Sequence, residues 1–214
     1  MRSAAPFPGG LYAITVETAD TARLLEQVAA ALAGGAAAVQ YRDKSGDVAR
    51  RHEQASELVA LCRRHGAPLV VNDDLRLANL AGADGVHLGR GDGSVREARI
   101  VLGPNRFVGA SCYQDLERAR AAQAAGADYV AFGSFFPSPT KPAAPRAPLD
   151  LLRAARAELR VPLIAIGGIT PANAAALLDA GADGLAVLSA VFGAPDVRAA
   201  AHAFNLLFET EPED

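Results

Sequence analysis

Cysteine is scarce in this chain of 214 residues, with only Cys62 and Cys112 present. Two are too few for a disulfide scaffold, and they lack the spacing of a metal-ligand set, so a reducing cytoplasm is the expected compartment. An excess of basic residues is missing too. The formal charge is −3, which gives no electrostatic footprint for nucleic acid. The first ten residues hold one arginine and no long apolar stretch, the pattern of neither a signal peptide nor a membrane span. Linkers, low-complexity runs and breaks in composition are absent as well. What remains is a globular composition, 50% hydrophobic and 21% charged, in a chain long enough for one sizeable core. A single domain over 1–214 is expected, with its core at about 11–208.

An internal near-repeat organises the chain. Ala81-Gly82-Ala83-Asp84 precedes the apolar run at 85–88, Ala125-Gly126-Ala127-Asp128 the run at 129–133, and Ala180-Gly181-Ala182-Asp183 the run at 184–188. Ala33-Gly34-Gly35 is a weaker copy. A helix that ends at glycine and leads into a short apolar run is a helix-to-strand junction of a βα unit.

Apolar runs predict eight strands, at 11–15, 36–41, 68–72, 85–88, 107–111, 129–133, 162–167 and 184–188. Helical character lies between them, for instance at 17–33, 46–65, 114–125 and 171–180, with Pro171 at a first helical position after Thr170. Eight alternating units with near-continuous apolar strands predict an α/β fold, a parallel (β/α)8 TIM barrel. An open doubly wound sheet is the competing arrangement. Polar residues follow nearly every strand here, rather than clustering at one switch point, and that favours the barrel. The irregular stretch 134–148, rich in proline and serine, has the length of a binding loop or lid.

The active site of such a barrel lies at the carboxyl ends of its strands. Gln40, Arg42 and Lys44 alternate at the end of the second strand, so they share one face. Two cations there imply an anionic, phosphorylated partner. Asn72-Asp73-Asp74 follows the third strand and Asp92 the fourth. Two carboxylates at neighbouring strand ends can hold a hard divalent cation together with substrate phosphate oxygens; either alone reads as a helix cap. Ser111, after the fifth strand, either donates to a phosphate or caps the next helix. Cys112 is a small apolar filler, and His87 a hydrogen-bonded structural residue inside its strand. His52, His65 and His202 fall on helices and belong to the surface. The loop after the sixth strand carries Ser138, Thr140 and Lys141 as donors for an anion, while Phe135 and Phe136 need cover. Gly167-Gly168 after the seventh strand and Ser189 after the eighth occupy the usual phosphate position of these barrels. No Ser–His–Asp or Cys–His set and no general-base pair is present. A reaction in which diphosphate leaves, helped by metal and cations, fits such a site.

Together, Gln40-x-Arg42-x-Lys44, Asn72-Asp73, Val86-His87-Leu88-Gly89 with Asp92, Phe136-Pro137-Ser138-Pro139-Thr140-Lys141 and Ala165-Ile166-Gly167-Gly168-Ile169 resemble the thiamine-phosphate synthase family, over about residues 11–192. The resemblance implies a TIM barrel that joins 4-amino-5-hydroxymethyl-2-methylpyrimidine diphosphate to the phosphorylated thiazole, with Mg²⁺ as cofactor. Asp73 and Asp92 would ligate the metal. Arg42, Lys44, Asn72 and Lys141 would hold the diphosphate, with Ser111 nearby and Gln40 beside the pyrimidine. Ser138 and Thr140 would contact the thiazole, and Gly168, Leu188 and Ser189 would lie near its phosphate. Arg42, Lys44, Ser111 and Lys141 would be the catalytic group. The partners are thus small-molecule substrates, with neither nucleic acid nor membrane, and a homo-oligomer is compatible with them. The family's mechanism is dissociative: diphosphate departs, and the thiazole nitrogen traps a methylene cation. Two positions depart from the family pattern. Tyr113 stands where His is common, and Ser138 where Thr is common. The related thiazole tautomerases use that histidine and lose parts of the diphosphate set. This chain keeps the set and lacks the histidine, which favours the synthase over the tautomerase. A non-catalytic phosphate sensor is the other alternative.

Overall fold

The computed structural model describes residues 6–138 and 145–209. Its eight strands are β1 (Gly10–Ile14), β2 (Ala38–Tyr41), β3 (Leu69–Asn72), β4 (Gly85–Leu88), β5 (Phe107–Tyr113), β6 (Tyr129–Gly133), β7 (Leu163–Ile166) and β8 (Gly184–Val187). All neighbours pair in parallel, and β8 pairs with β1 to close the barrel. The helices are α1 (Thr21–Ala33), α2 (Val48–Arg64), α3 (Leu75–Leu80), α4 (Val95–Leu102), α5 (Leu116–Ala124), α6 (Leu149–Glu158), α7 (Pro171–Asp179), the short α8 (Ser189–Phe192) and α9 (Val197–Asn205). The expected barrel is therefore observed, and Pro171 opens α7 after Thr170 as its fixed φ allows. Among the described residues no helix is long and apolar enough to cross a membrane.

The repeated glycines take the left-handed conformation expected of a helix end: φ is 66° at Gly82, 99° at Gly126 and 102° at Gly181. The aspartates beside them have a role that their spacing did not predict. Each carboxylate accepts from an N–H at the start of the strand one unit back: Asp84 from Leu69 (2.9 Å), Asp128 from Val108 (2.7 Å) and Asp183 from Leu163 (2.7 Å). They clamp the amino ends of β3, β5 and β7, on the face of the barrel away from the predicted site.

One apolar layer fills the space between strands and helices, and a second fills the barrel interior. Tyr12 and Tyr129 dominate the interior, and Phe7 stacks on Tyr129 with ring centroids 4.0 Å apart. The Tyr129 ring occupies the space over Gly109, where an added Cβ would come within 2.0 Å of its Cζ. Cys62 and Cys112 are fully buried, the apolar filling expected of Cys112. β5 runs to Tyr113, two residues beyond its predicted end. Ser111 therefore lies within the strand, on its cavity side, and not in the loop after it.

Candidate active site

A cavity of about 660 Å³ opens among the carboxyl ends of the strands. Its wall includes Gln40, Arg42, Lys44, Asn72, Asp73, Asp92, Ser111, Ser138, Gly168, Leu188 and Ser189, eleven of the thirteen predicted site residues. The remaining two, Thr140 and Lys141, lie outside the described residues.

Period-two alternation sorts the second strand's end as expected. Gln40, Arg42 and Lys44 face the cavity. Tyr41 and Asp43 turn to the helix layer, where Tyr41 Oη donates to Gln54 Oε1 (2.8 Å) and Asp43 pairs with Arg50 (3.4 Å). The backbone past the strand is fixed by Thr15, whose hydroxyl accepts from Arg42 N (3.0 Å), and by Glu17, whose carboxylate accepts from Lys44 N (2.8 Å).

Capping is carried out by residues next to the candidates. Asp74, not Asp73, caps α3 by accepting from Leu77 N (2.8 Å), and it also binds Arg51. Ser94, not Asp92, caps α4. Asp115, not Ser111, caps α5. Asp73, Asp92 and Ser111 are thereby left to the cavity.

Asp73 has φ 64°, an unusual conformation for a residue other than glycine. Its N–H donates to His87 O (2.8 Å), and its carboxylate meets Lys44 Nζ at 3.0 Å, with the Asp92 carboxyl as its neighbour. Burial alone would raise the Asp73 pKa, but Lys44, Asp92 and Asn72 together hold it below the usual carboxylate range. Burial and the Asp73 carboxylate push Asp92 the other way, although it accepts from Gly89 N (2.8 Å). Two carboxylates in contact, with only oxygen donors, suit a hard divalent cation such as Mg²⁺ that completes its shell with phosphate oxygens and water.

On β5, Ser111 Oγ lies 2.8 Å from His87 Nε2, and Ser111 O accepts from Arg118 Nε (2.7 Å). His87 is interior and hydrogen-bonded, as expected. Burial depresses its pKa to about 4, so the ring is neutral at pH 7. Tyr113 has φ 55°; its hydroxyl accepts from Arg90 N (3.2 Å), and its ring lies beneath the guanidinium groups of Arg90 and Arg118. The tyrosine thus anchors the loop that carries Asp92. Sequence reading had no signal for this, because Arg90 lies 23 residues from Tyr113 along the chain.

Gly167 and Gly168 both have positive φ. A Cβ on Gly168 would lie 2.2 Å from Pro137 O, so part of the need for glycine comes from the loop after β6 packing onto the loop after β7. That contact covers the aromatics: Phe135 is buried, and Phe136 packs against the core. Sequence reading also missed Tyr12, whose hydroxyl accepts from Gln40 Nε2 (2.9 Å) on the cavity wall.

Comparison with known proteins shows the family. A family model described as thiamine monophosphate synthase matches residues 11–191. A thiamine-phosphate synthase of Thiobacillus denitrificans is 74% identical over 208 residues, covering 97% of this chain and 99% of the relative. One from Chromobacterium violaceum is 58% identical, covering 91% and 93%. The solved structure of a thiamine phosphate pyrophosphorylase from Pyrococcus furiosus superimposes with a TM-score of 0.82 at 38% identity, covering 92% of this chain and 94% of that one. With a model matched over most of its length and relatives this similar across nearly the whole barrel, the chain belongs to the thiamine monophosphate synthase family.

Proposed function

We propose that this chain condenses 4-amino-5-hydroxymethyl-2-methylpyrimidine diphosphate with 4-methyl-5-(2-phosphooxyethyl)thiazole, giving thiamine phosphate and diphosphate. The observation that carries the reading is one cavity that joins Arg42, Lys44 and the Asp73–Asp92 pair, from β2–β4, to Gly168 and Ser189, from the β7 and β8 ends. That provides two anion positions, one with a place for a divalent cation, for two phosphorylated substrates.

Arg42, Lys44, Asn72 and Lys141 bind the diphosphate. A Mg²⁺ held by Asp73 and Asp92 would neutralise charge on the diphosphate oxygens. Gln40 orients the aminopyrimidine and Ser111 meets the leaving diphosphate. Ser138 and Thr140 hold the thiazole, with Gly168, Leu188 and Ser189 around its phosphate. Ile14, Ala131 and Ile166 line the same cavity, and their apolar surface keeps water from the methylene cation until the thiazole nitrogen traps it. The rate comes from positioning and charge stabilisation, without a protein nucleophile. The chemistry belongs to the cytoplasm.

The test is a coupling assay with both substrates, in Mg²⁺ or in excess chelator, with thiamine phosphate detected directly. Product that depends on the metal is expected. A folded protein that forms none would overturn the reading.

A further inference from the structure

A file of hydrogen-bonded side chains crosses the barrel interior beneath the cavity. Gln40 Nε2 donates to Tyr12 Oη (2.9 Å), Tyr12 Oη lies 2.9 Å from Tyr129 Oη, Tyr129 Oη lies 3.1 Å from His87 Nδ1, and His87 Nε2 lies 2.8 Å from Ser111 Oγ. Gln40, Tyr12, Tyr129 and His87 are all buried. The coupling reaction as proposed uses the two ends, Gln40 and Ser111, and leaves the middle three without a role.

With Gln40 Nε2 as the donor to Tyr12 Oη, one placement of the protons satisfies the whole file. An amide nitrogen can only donate, so Tyr12 Oη accepts from Gln40. The Tyr12 proton then has one partner in the file, Tyr129 Oη. Having accepted it, Tyr129 sends its own proton to His87 Nδ1. With Nδ1 bare, the ring carries its proton on Nε2 and donates to Ser111 Oγ. The serine proton is thus free of His87 and available to the cavity. Reversing the order leaves the Tyr12 proton, on a side chain only 2% exposed, with no acceptor in the file, and a buried donor without an acceptor is costly. An imidazolium, a donor at both nitrogens, strands it as well.

We infer that this one-way chain of hydrogen bonds, from Gln40 through Tyr12, Tyr129 and His87, holds Ser111 as a donor towards the leaving diphosphate. With the opposite polarity the serine would present an oxygen lone pair to an anion and repel it. Tyr12, Tyr129 and His87 are therefore positioning residues. They act through Ser111, and their polarity originates at Gln40 across the barrel. The inference rests on the proposed diphosphate site for its ligand, but not for its proton order.

Two measurements on the full chain test it. In the ligand-free protein, ¹⁵N NMR of labelled histidine, with the His87 signals identified by their loss in His87→Gln, is expected to show a protonated Nε2 and a bare Nδ1. A proton on Nδ1 overturns the inference. Calorimetry then follows inorganic diphosphate binding, in the presence of Mg²⁺, to wild type, Tyr129→Phe, Ser111→Ala and the double variant. Each single change is expected to weaken binding about tenfold, the scale of one hydrogen bond to a charged group. The double variant is expected to bind no more weakly than Ser111→Ala, because the tyrosine acts only through the serine. Losses that multiply, or a Tyr129→Phe protein that binds like wild type, overturn the chain while leaving the diphosphate site in place. Wild type that binds no diphosphate removes the site itself, and the inference with it. If Tyr129→Phe does not fold, Tyr12→Phe interrupts the same file.

Discussion

Asp73 combines a left-handed backbone with a carboxylate that meets both Lys44 and Asp92. Such strain persists where the surroundings over-determine it, and it gathers at functional sites. Asparagine tolerates the same φ, so Asp73→Asn should change unfolding free energy by less than about 0.5 kcal/mol. Asp73→Ala should lose about 1 kcal/mol, because alanine is ill suited to that conformation. Both should lower the coupling rate by at least about 100-fold, since each removes the proposed metal ligand. Urea denaturation and the coupling assay check the two halves, and near-normal turnover in Asp73→Asn would remove this residue from the site. The two thiols make a separate prediction. Burial pushes both Cys62 and Cys112 up to about 12, above the unfolded value of about 8.5. A group whose pKa is raised on folding gives stability that is complete below the unfolded pKa and lost as pH rises towards the folded one. Unfolding free energy should hold steady between about pH 7 and 8, above the range where the depressed pKa of His87 acts, and then fall by up to about 1.4 kcal/mol per pH unit for each thiol. Denaturation at a series of pH values should show this slope, and Cys62→Ala should flatten it by one thiol's share.

At the scale of elements, the βα junction is the unit that repeats. Its glycine ends one helix, and its aspartate fastens the strand before. Asp128 accepts from Val108 N and pairs with Arg99, so Asp128→Ala leaves a buried N–H and a guanidinium without that partner. A loss of about 2–3 kcal/mol is expected, with KM for both substrates unchanged, because the clamp sits on the stability face of the barrel. Parallel measurement of unfolding and of KM decides it; a raised KM would mean that the clamp also shapes the site. The junctions were legible as glycine punctuation before apolar runs. The aspartate's role was not, because its acceptor position faces a strand 15 to 20 residues earlier, beyond the reach of local pattern. Cap assignment shows the same limit. Asp73 or Asp74, Asp92 or Ser94, and Ser111 or Asp115 are all sound caps by residue type, and only the backbone path distinguishes them.

At the scale of the molecule, the closed sheet encloses an interior that one aromatic from outside the strands completes. Phe7, 1% exposed, stacks on Tyr129 and meets Tyr12 and Phe107 edge-on. Phe7→Ala should cost about 3–5 kcal/mol, the range for a large side chain deleted from a core, and thermal unfolding would register it as a lowered midpoint. A change within about 1 kcal/mol would show that the barrel closes without this plug. Sequence reading placed the start of the core near residue 11, because a single phenylalanine among prolines and glycines carries no periodicity.

By itself the sequence determined the eight-fold alternation, the barrel it implies and the ring of polar residues at the carboxyl ends of the strands. Those follow from local rules: a period of two along a strand, glycine at a helix end, charge that cannot be buried alone. The identity of the reaction was legible because its motifs fall at those ends in a recognisable order. Only the tertiary structure decided which of two adjacent carboxylates enters the cavity, that Tyr113 secures the Asp92 loop, and that Gln40 and Ser111 are joined through Tyr12, Tyr129 and His87. These contacts span up to 117 residues of chain, and they exist because closing the barrel brings β1, β2, β4, β5 and β6 around one interior.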